Sequence, residues 1–160
     1  MRGNSLAPEK AQFMNIAPQI IRTASVHWEG DVAHGRGSIN TQSGKVSAEY
    51  SFGTRFSGDP GTNPEELLAA AHASCFSMAL SAELTRAGHP PTSIETKAMV
   101  HLDKIEGGFE ISRIDLITTA VVPDVTPEEF ATRAASAKEN CPLSKALRAV
   151  PTSLNATLAP

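Results

Sequence analysis

Two cysteines stand 66 positions apart in this 160-residue chain: Cys75, inside a run of small and apolar residues, and Cys141, directly before Pro142. A cysteine thiolate is a nucleophile, a metal ligand or half of a disulfide, whereas a buried protonated thiol is a small inert hydrophobe. Helical spacing surrounds Cys75 with Leu68, Ala71, His72, Met78, Ala79 and Ala82. Burial in such company raises a thiol's pKa, so this sulfur alone is unreactive. Reactivity requires an imported cation. His72 is one candidate. An arginine is better, because a guanidinium stays charged and can hold a thiolate and a developing oxyanion together. Cys141 falls at the start of a short helix, where free backbone N–H groups favour a thiolate. The two cysteines fit a peroxidatic and a resolving thiol, or two unrelated core residues, and their spacing does not choose.

The elements that must position these sulfurs follow from periodicity and punctuation. Residues 1–22 have no clean period and read as an arm without an assigned role; residues 23–160 read as a single domain. Ala24, Val26 and Trp28 alternate with polar residues as a first strand, and Gly30-Asp31 turns the chain. A second strand passes through Gly35, Gly37 and Ile39, its glycines suggesting a bulge or a close approach. After Ser43-Gly44-Lys45, a third runs through Val46, Ala48, Tyr50 and Phe52. Asn63-Pro64-Glu65-Glu66 carries a helix N-cap, proline at N1 and glutamate at N3, a capping-box pattern. That helix should stop at Gly88, giving about 24 residues and roughly 36 Å. It is apolar nearly all round except for Ser74, Ser77, Ser81 and Thr85. Such a helix is buried, and a domain this small has trouble surrounding it, so a second subunit is expected to cover part. Ile94 to Leu102 alternates as a half-buried strand that returns over Gly107-Gly108, with a bulge near Ser112-Arg113. Thr126-Pro127-Glu128-Glu129 opens a second helix ending near Asn140. Cys141-Pro142 opens a third through Leu147, and Val150 to Leu158 is a last strand. The order β-β-β-α-β-β-α-α-β predicts an α+β domain with antiparallel sheet.

Composition narrows the partners. The formal charge of −3 and a pI near 5.9 disagree with a nucleic-acid coat, which needs a basic face. The Gly58-Asp59-Pro60-Gly61 match to an RNA-binding GxxG loop is weak for the same reason, and because a strand precedes it. The longest strongly apolar stretch, Leu67 to Leu80, is interrupted and falls short of the roughly 20 residues that span a bilayer. The N-terminus lacks the basic-then-apolar order of a secretory signal. The cytosol is therefore the expected compartment, with no nucleic acid and no membrane as partner. There, two cysteines suggest redox chemistry or buried thiols. His27, His34, His89 and His101 show no metal-ligand spacing. A Cys75/His72 hydrolase pair has no evident orienting acid or oxyanion hole.

Longer motifs carry a resemblance. Gly61-Thr62-Asn63-Pro64-Glu65-Glu66-Leu67-Leu68, with Ala71-His72-Ala73-Ser74-Cys75-Phe76-Ser77-Met78-Ala79-Leu80, resembles the central helix of the OsmC/Ohr family. Asn140-Cys141-Pro142-Leu143-Ser144 resembles that family's second cysteine motif. His27-Trp28-Glu29-Gly30 and Thr54-Arg55-Phe56 resemble the OsmC branch in particular. The resemblance covers about Thr23 to Leu158. It implies an antiparallel sheet wrapped around a long central helix in an intertwined homodimer with sites at the subunit interface. It implies a thiol peroxidase acting on organic hydroperoxides, with Cys75 peroxidatic, Cys141 resolving, and Arg55 and Glu65 in the family's arginine and glutamate positions. It implies a dithiol reductant, typically a dihydrolipoyl protein; no cofactor and no metal are expected. The Ohr branch takes its arginine from nearer the N-terminus, where this chain has Arg36; Arg55 is favoured and Arg36 is its rival. Phe56, Phe76 and Met78 are candidates for an apolar lining. Glu65 precedes Cys75 by ten residues, about 15 Å along a helix. That gap closes more easily if Arg55 and Glu65 come from the partner subunit. The alternative is a non-catalytic dimeric domain of the same fold that binds an apolar ligand.

Overall fold

The structure is a computed structural model describing residues 20–160, so only residues 20–22 of the expected arm fall within it and residues 1–19 lie outside the described residues. Three strands come first. β1 (Ala24–Glu29), β2 (Arg36–Thr41) and β3 (Ser47–Ser51) pair antiparallel in that order. Gly37 lies opposite Trp28 on one side and Tyr50 on the other, whose rings stack at 5.3 Å. A Cβ on Gly37 would enter the Tyr50 ring, so its bareness serves a close approach.

β3 stops at Ser51, and the expected continuation through Phe52 is corrected. Ser51 Oγ accepts from the Thr54 backbone N–H, and Thr54 Oγ1 accepts from the Ser51 N–H at 2.9 Å. This closed capping box starts α1 (Phe52–Phe56), which carries Arg55. The apolar alternation runs one residue too far because Phe52 also suits a strand face; the local cap decides.

α2 (Pro64–Arg86) begins as its sequence predicts, with Asn63 Oδ1 accepting from the Glu66 N–H at 2.8 Å. The box is only half made, since the Glu66 carboxylate accepts from Thr62 Oγ1 at 3.0 Å. At the other end, His89 N–H reaches Leu84 C=O and Gly88 N–H reaches Thr85 C=O, both at 3.0 Å. Gly88 sits at φ +91°, the left-handed conformation that this double C-cap needs.

β4 (Ser93–Ile105) and β5 (Gly108–Val121) form the long hairpin. His101 faces Arg113 and Leu102 faces Ile111, which leaves Ser112 as the extra residue of the expected bulge. α3 (Pro127–Asn140) and α4 (Pro142–Ala146) then lead to β6 (Thr152–Ala159). β6 pairs with β5 in parallel, from Ile114–Thr152 to Val121–Ala159, so the second sheet is not wholly antiparallel. A parallel partner needs a crossover of a dozen or more residues, and α3 with α4 supplies it.

The core lies between the second sheet, α2 and α3. Phe76, Leu80, Leu84, Leu116, Ala120, Phe130, Ala134 and Ala137 are buried there, with Cys141 among them. Thr118, also buried, is satisfied by Thr96 and by the Glu95 carbonyl, and Ser77 donates to Thr96 at 2.8 Å. α2 is buried along one side only: Met78, on the other, is 75% exposed. The apolar stretch is also longer than the sequence suggested. Pro64–Arg86 is long enough, and within it an 18-residue stretch of mean hydropathy 1.3 is apolar enough, to cross a membrane by length and composition. Core helices meet that test too, and Glu83 is among its buried residues.

Candidate active site

α2 holds Cys75 near its middle, facing the loop between α3 and α4. Cys141 is the last residue before α4, its N–H still bonded to Ala137 C=O at 2.9 Å and its C=O accepting from Lys145 at 3.0 Å. Closing one helix and opening the next commits both of its backbone groups. The two sulfurs stand 2.9 Å apart, both as free thiols, Cys75 half-buried and Cys141 fully buried. The fold therefore joins two cysteines that stand 66 positions apart in sequence.

Burial pushes the Cys75 thiol above its ordinary pKa, and Cys141 beside it adds to the rise; the Leu143 N–H in the first turn of α4 acts the other way. Among the described residues no cation figures in that balance. His72 does not supply one. It is fully buried, and burial lowers its pKa and keeps the ring neutral. Its Nε2 is engaged with Ser144 Oγ at 2.9 Å.

Arg55 and Glu65 form a second pair. Arg55 Nη2 donates to Glu65 Oε1 at 2.6 Å and Nε to Oε2 at 3.1 Å, a two-pronged contact that fixes the guanidinium plane. The Arg55 guanidinium also lies over the Phe56 ring, 5.2 Å from its centroid. Phe56 stacks between Phe52 and Phe109 at 4.8 and 4.9 Å. The hairpin tip of β4 and β5 thus meets α1, and the three rings make an exposed apolar lip beside the cation. Arg36, the rival arginine, sits exposed at the start of β2 opposite Glu29 and Ser51, outside this pair.

The four residues thus assemble as two couples, Cys75 with Cys141 and Arg55 with Glu65. Ten residues of α2 separate them, about 15 Å along the helix axis. Of the lining candidates, Phe56 and Met78 are exposed, but Phe76 is withdrawn into the core. Phe52 and Phe109 were missed from sequence, although Phe52 and Phe56 have the helical i, i+4 spacing that pairs aromatic rings. Ser144 was missed as a partner of His72, because a contact between residues 72 apart has no local signal.

Fold and site first define a class: an α+β domain whose central helix bears a thiol faced by a second thiol at a helix cap, with an arginine–glutamate couple at that helix's start. A model described as "OsmC-like protein" matches residues 56–155. The chain belongs to the OsmC-like protein family. It is similar to the peroxiredoxin OsmC of Escherichia coli K12, 48% identical over 131 residues, covering 81% of this chain and 92% of that one. It is also similar to the organic hydroperoxide resistance protein OhrB of Bacillus subtilis, 36% identical over 93 residues, covering 57% of this chain and 65% of that one. The crystal structure of OhrB superposes with a TM-score of 0.63 at 30% identity, over 86% of this chain and 98% of that chain.

Proposed function

We propose that this protein is a cysteine-based peroxidase that reduces organic hydroperoxides to alcohols. The observation that carries the reading is the 2.9 Å approach of two free thiols from distant parts of the chain. Relatives named as a peroxiredoxin and as an organic hydroperoxide resistance protein support the same class. The Cys75 thiolate attacks the distal oxygen of R–O–O–H. An S–O bond forms, the O–O bond breaks, and the alkoxide leaves to be protonated as alcohol. The sulfur loses two electrons and becomes a sulfenic acid. The Cys141 thiolate then attacks that sulfur, forming the S–S bond and releasing hydroxide, which leaves as water. A dithiol returns both cysteines to thiols by exchange and becomes a disulfide itself; a dihydrolipoyl protein fits this role.

Arg55, held by Glu65, is the cation this chemistry needs, lowering the Cys75 pKa and meeting the alkoxide charge. Within one chain, burial leaves that thiol raised and the guanidinium belongs to the other couple. A homodimer in which the partner's Arg55–Glu65 couple reaches Cys75 resolves this. The exposed apolar side of α2, with an open groove of about 600 Å³ lined by Met78, Ser81, Ala82, Thr85 and Arg86, is the surface such a partner would cover. The Phe52–Phe56–Phe109 lip would favour an alkyl hydroperoxide over hydrogen peroxide. The protein is read as a single domain over residues 23–160, working in the cytoplasm.

Stopped-flow kinetics with cumene hydroperoxide test the reading. Wild type is expected to consume peroxide rapidly, Cys75→Ser to abolish turnover, and Cys141→Ser to react once without cycling on a dithiol. Equal, slow reaction of all three would overturn it in favour of a non-catalytic domain that binds an apolar ligand.

A further inference from the structure

The two sulfurs are not the only bridge between α2 and the segment that carries Cys141. His72 lies three residues before Cys75, and Ser144 lies three residues after Cys141. His72 Nε2 meets Ser144 Oγ at 2.9 Å, the same separation as the sulfurs. The spacing of three on α2 is therefore matched by a spacing of three, in the opposite direction, from the cap into α4. A single contact leaves a short helix free to rotate about it. Two contacts one turn apart fix both its roll and its axial position.

The hydrogen bond is held in a dry place. His72 is fully buried and its Nδ1 finds no partner among the described residues. A core that leaves one ring nitrogen unpaired carries a cost that an apolar residue would avoid. The ring's visible work is the Ser144 bond. α4 has five residues and none fully buried; Leu143 packs against the core and its N–H reaches Cys75, and the His72–Ser144 bond is the side-chain hydrogen bond that ties the helix to α2.

We propose that His72 and Ser144 are positioning residues for the resolving step: their hydrogen bond pins α4 against α2 so that Cys141 stands over Cys75. His72 acts through Ser144, not as a base or cation toward the sulfur. The proposal rests on the peroxidase reading for its biological meaning, but the geometry it asserts is measurable without any peroxide.

Equilibration of the intact protein in glutathione redox buffers, with the Cys75–Cys141 disulfide quantified by mass, is that measurement. The closure constant reports how well Cys141 is presented to Cys75. Ser144→Ala is expected to lower it roughly fivefold to tenfold, as the loss of one buried hydrogen bond implies. Ser144→Thr, which keeps the hydroxyl, is expected to stay within about twofold of wild type. His72→Leu combined with Ser144→Ala removes both polar groups and leaves no unpaired nitrogen. It should therefore fold well, and it is expected to close as poorly as Ser144→Ala. That double variant decides the matter should Ser144→Ala not fold. With peroxide, the Ser144→Ala protein should form sulfenic acid at the wild-type rate, measured with a trapping reagent, but accumulate sulfinic acid at lower peroxide doses. Closure constants in Ser144→Ala or the double variant equal to wild type would overturn the proposal, whatever the peroxide assays give. A normal drop in closure with no peroxide reaction in wild type would instead overturn the proposed function and leave the positioning role standing.

Discussion

The first sheet and the second have three strands each and differ in what covers them. Around β4, β5 and β6 the chain supplies its own lid: α2 and α3 bury Leu116, Ala120 and Phe76 almost completely. Around β1, β2 and β3 only Gly35, Gly37 and Ile39 are buried, while Val26 is 57% exposed. The first sheet is joined to the rest mainly through α1 and the hydrogen bonds that lead into α2. One region is a finished core; the other is left largely uncovered. The chemistry divides along the same line, for the sulfurs belong to the finished region and Arg55 to the unfinished one. In the proposed homodimer, a second copy covering the exposed side of α2 would bring the partner's Arg55 to the thiol in the same event.

Four measurements break or sharpen that contrast. The largest effect is expected from Phe76→Ala. It opens a cavity in the finished core and should cost about 3–5 kcal/mol in chemical denaturation. Val26→Ala in the other sheet should change stability by about 0.5 kcal/mol or less. Equal costs would erase the distinction between the regions. Next, Arg55→Leu is expected to lower kcat/KM for cumene hydroperoxide about 100-fold. Its stability cost should stay under about 1 kcal/mol, because a partly exposed ion pair contributes little to folding. Iodoacetamide alkylation across pH should also show the Cys75 midpoint moving up in this variant; an unmoved midpoint would mean that Arg55 never reaches the sulfur. Third, Met78→Glu places a charge on the uncovered side of α2. It should weaken self-association about tenfold or more in sedimentation velocity, the cost of burying an unpaired carboxylate being high. A variant that associates as wild type does would place the contact elsewhere.

The smallest effect concerns acid. Burial lowers the His72 pKa, so the unfolded chain binds a proton more readily than the folded one. This contribution is present in full above about pH 6.5, the ordinary value for histidine, and is lost as the pH falls. His72→Gln should flatten the fall in urea midpoint below that pH, by no more than a one-proton slope. An unchanged profile would show that the ring is protonated in place.

Much of this was legible from sequence, and the parts that were not share a cause. The N-caps at Asn63 and Thr126, the Gly88 stop, the Gly107 turn and the Ser112 bulge are local, and each appears where its residues predict. α1 was hidden because Phe52 satisfies the strand alternation as well as the helix, and only the Ser51–Thr54 box separates them. The parallel pairing of β6 leaves no local trace, since alternation reads the same in either direction. At the site, residue types and resemblance picked out both cysteines and the Arg55–Glu65 couple. The Ser144 contact stayed invisible because it depends on how α4 lies on α2. Phe76 was misread as lining for a related reason: a helix that is apolar on every side does not announce which side faces the core.

The wide sequence gap between the two cysteines has a thermal consequence. A covalent link across 66 positions would close most of the second region into one ring and restrict the unfolded chain, an effect worth about 4 kcal/mol for a loop of that length. The oxidised protein should then melt well above the reduced one. Each encounter with an oxidant would leave the molecule tougher until a donor of electrons softened it again, so that heat resistance becomes a gauge of how recently the protein was reset.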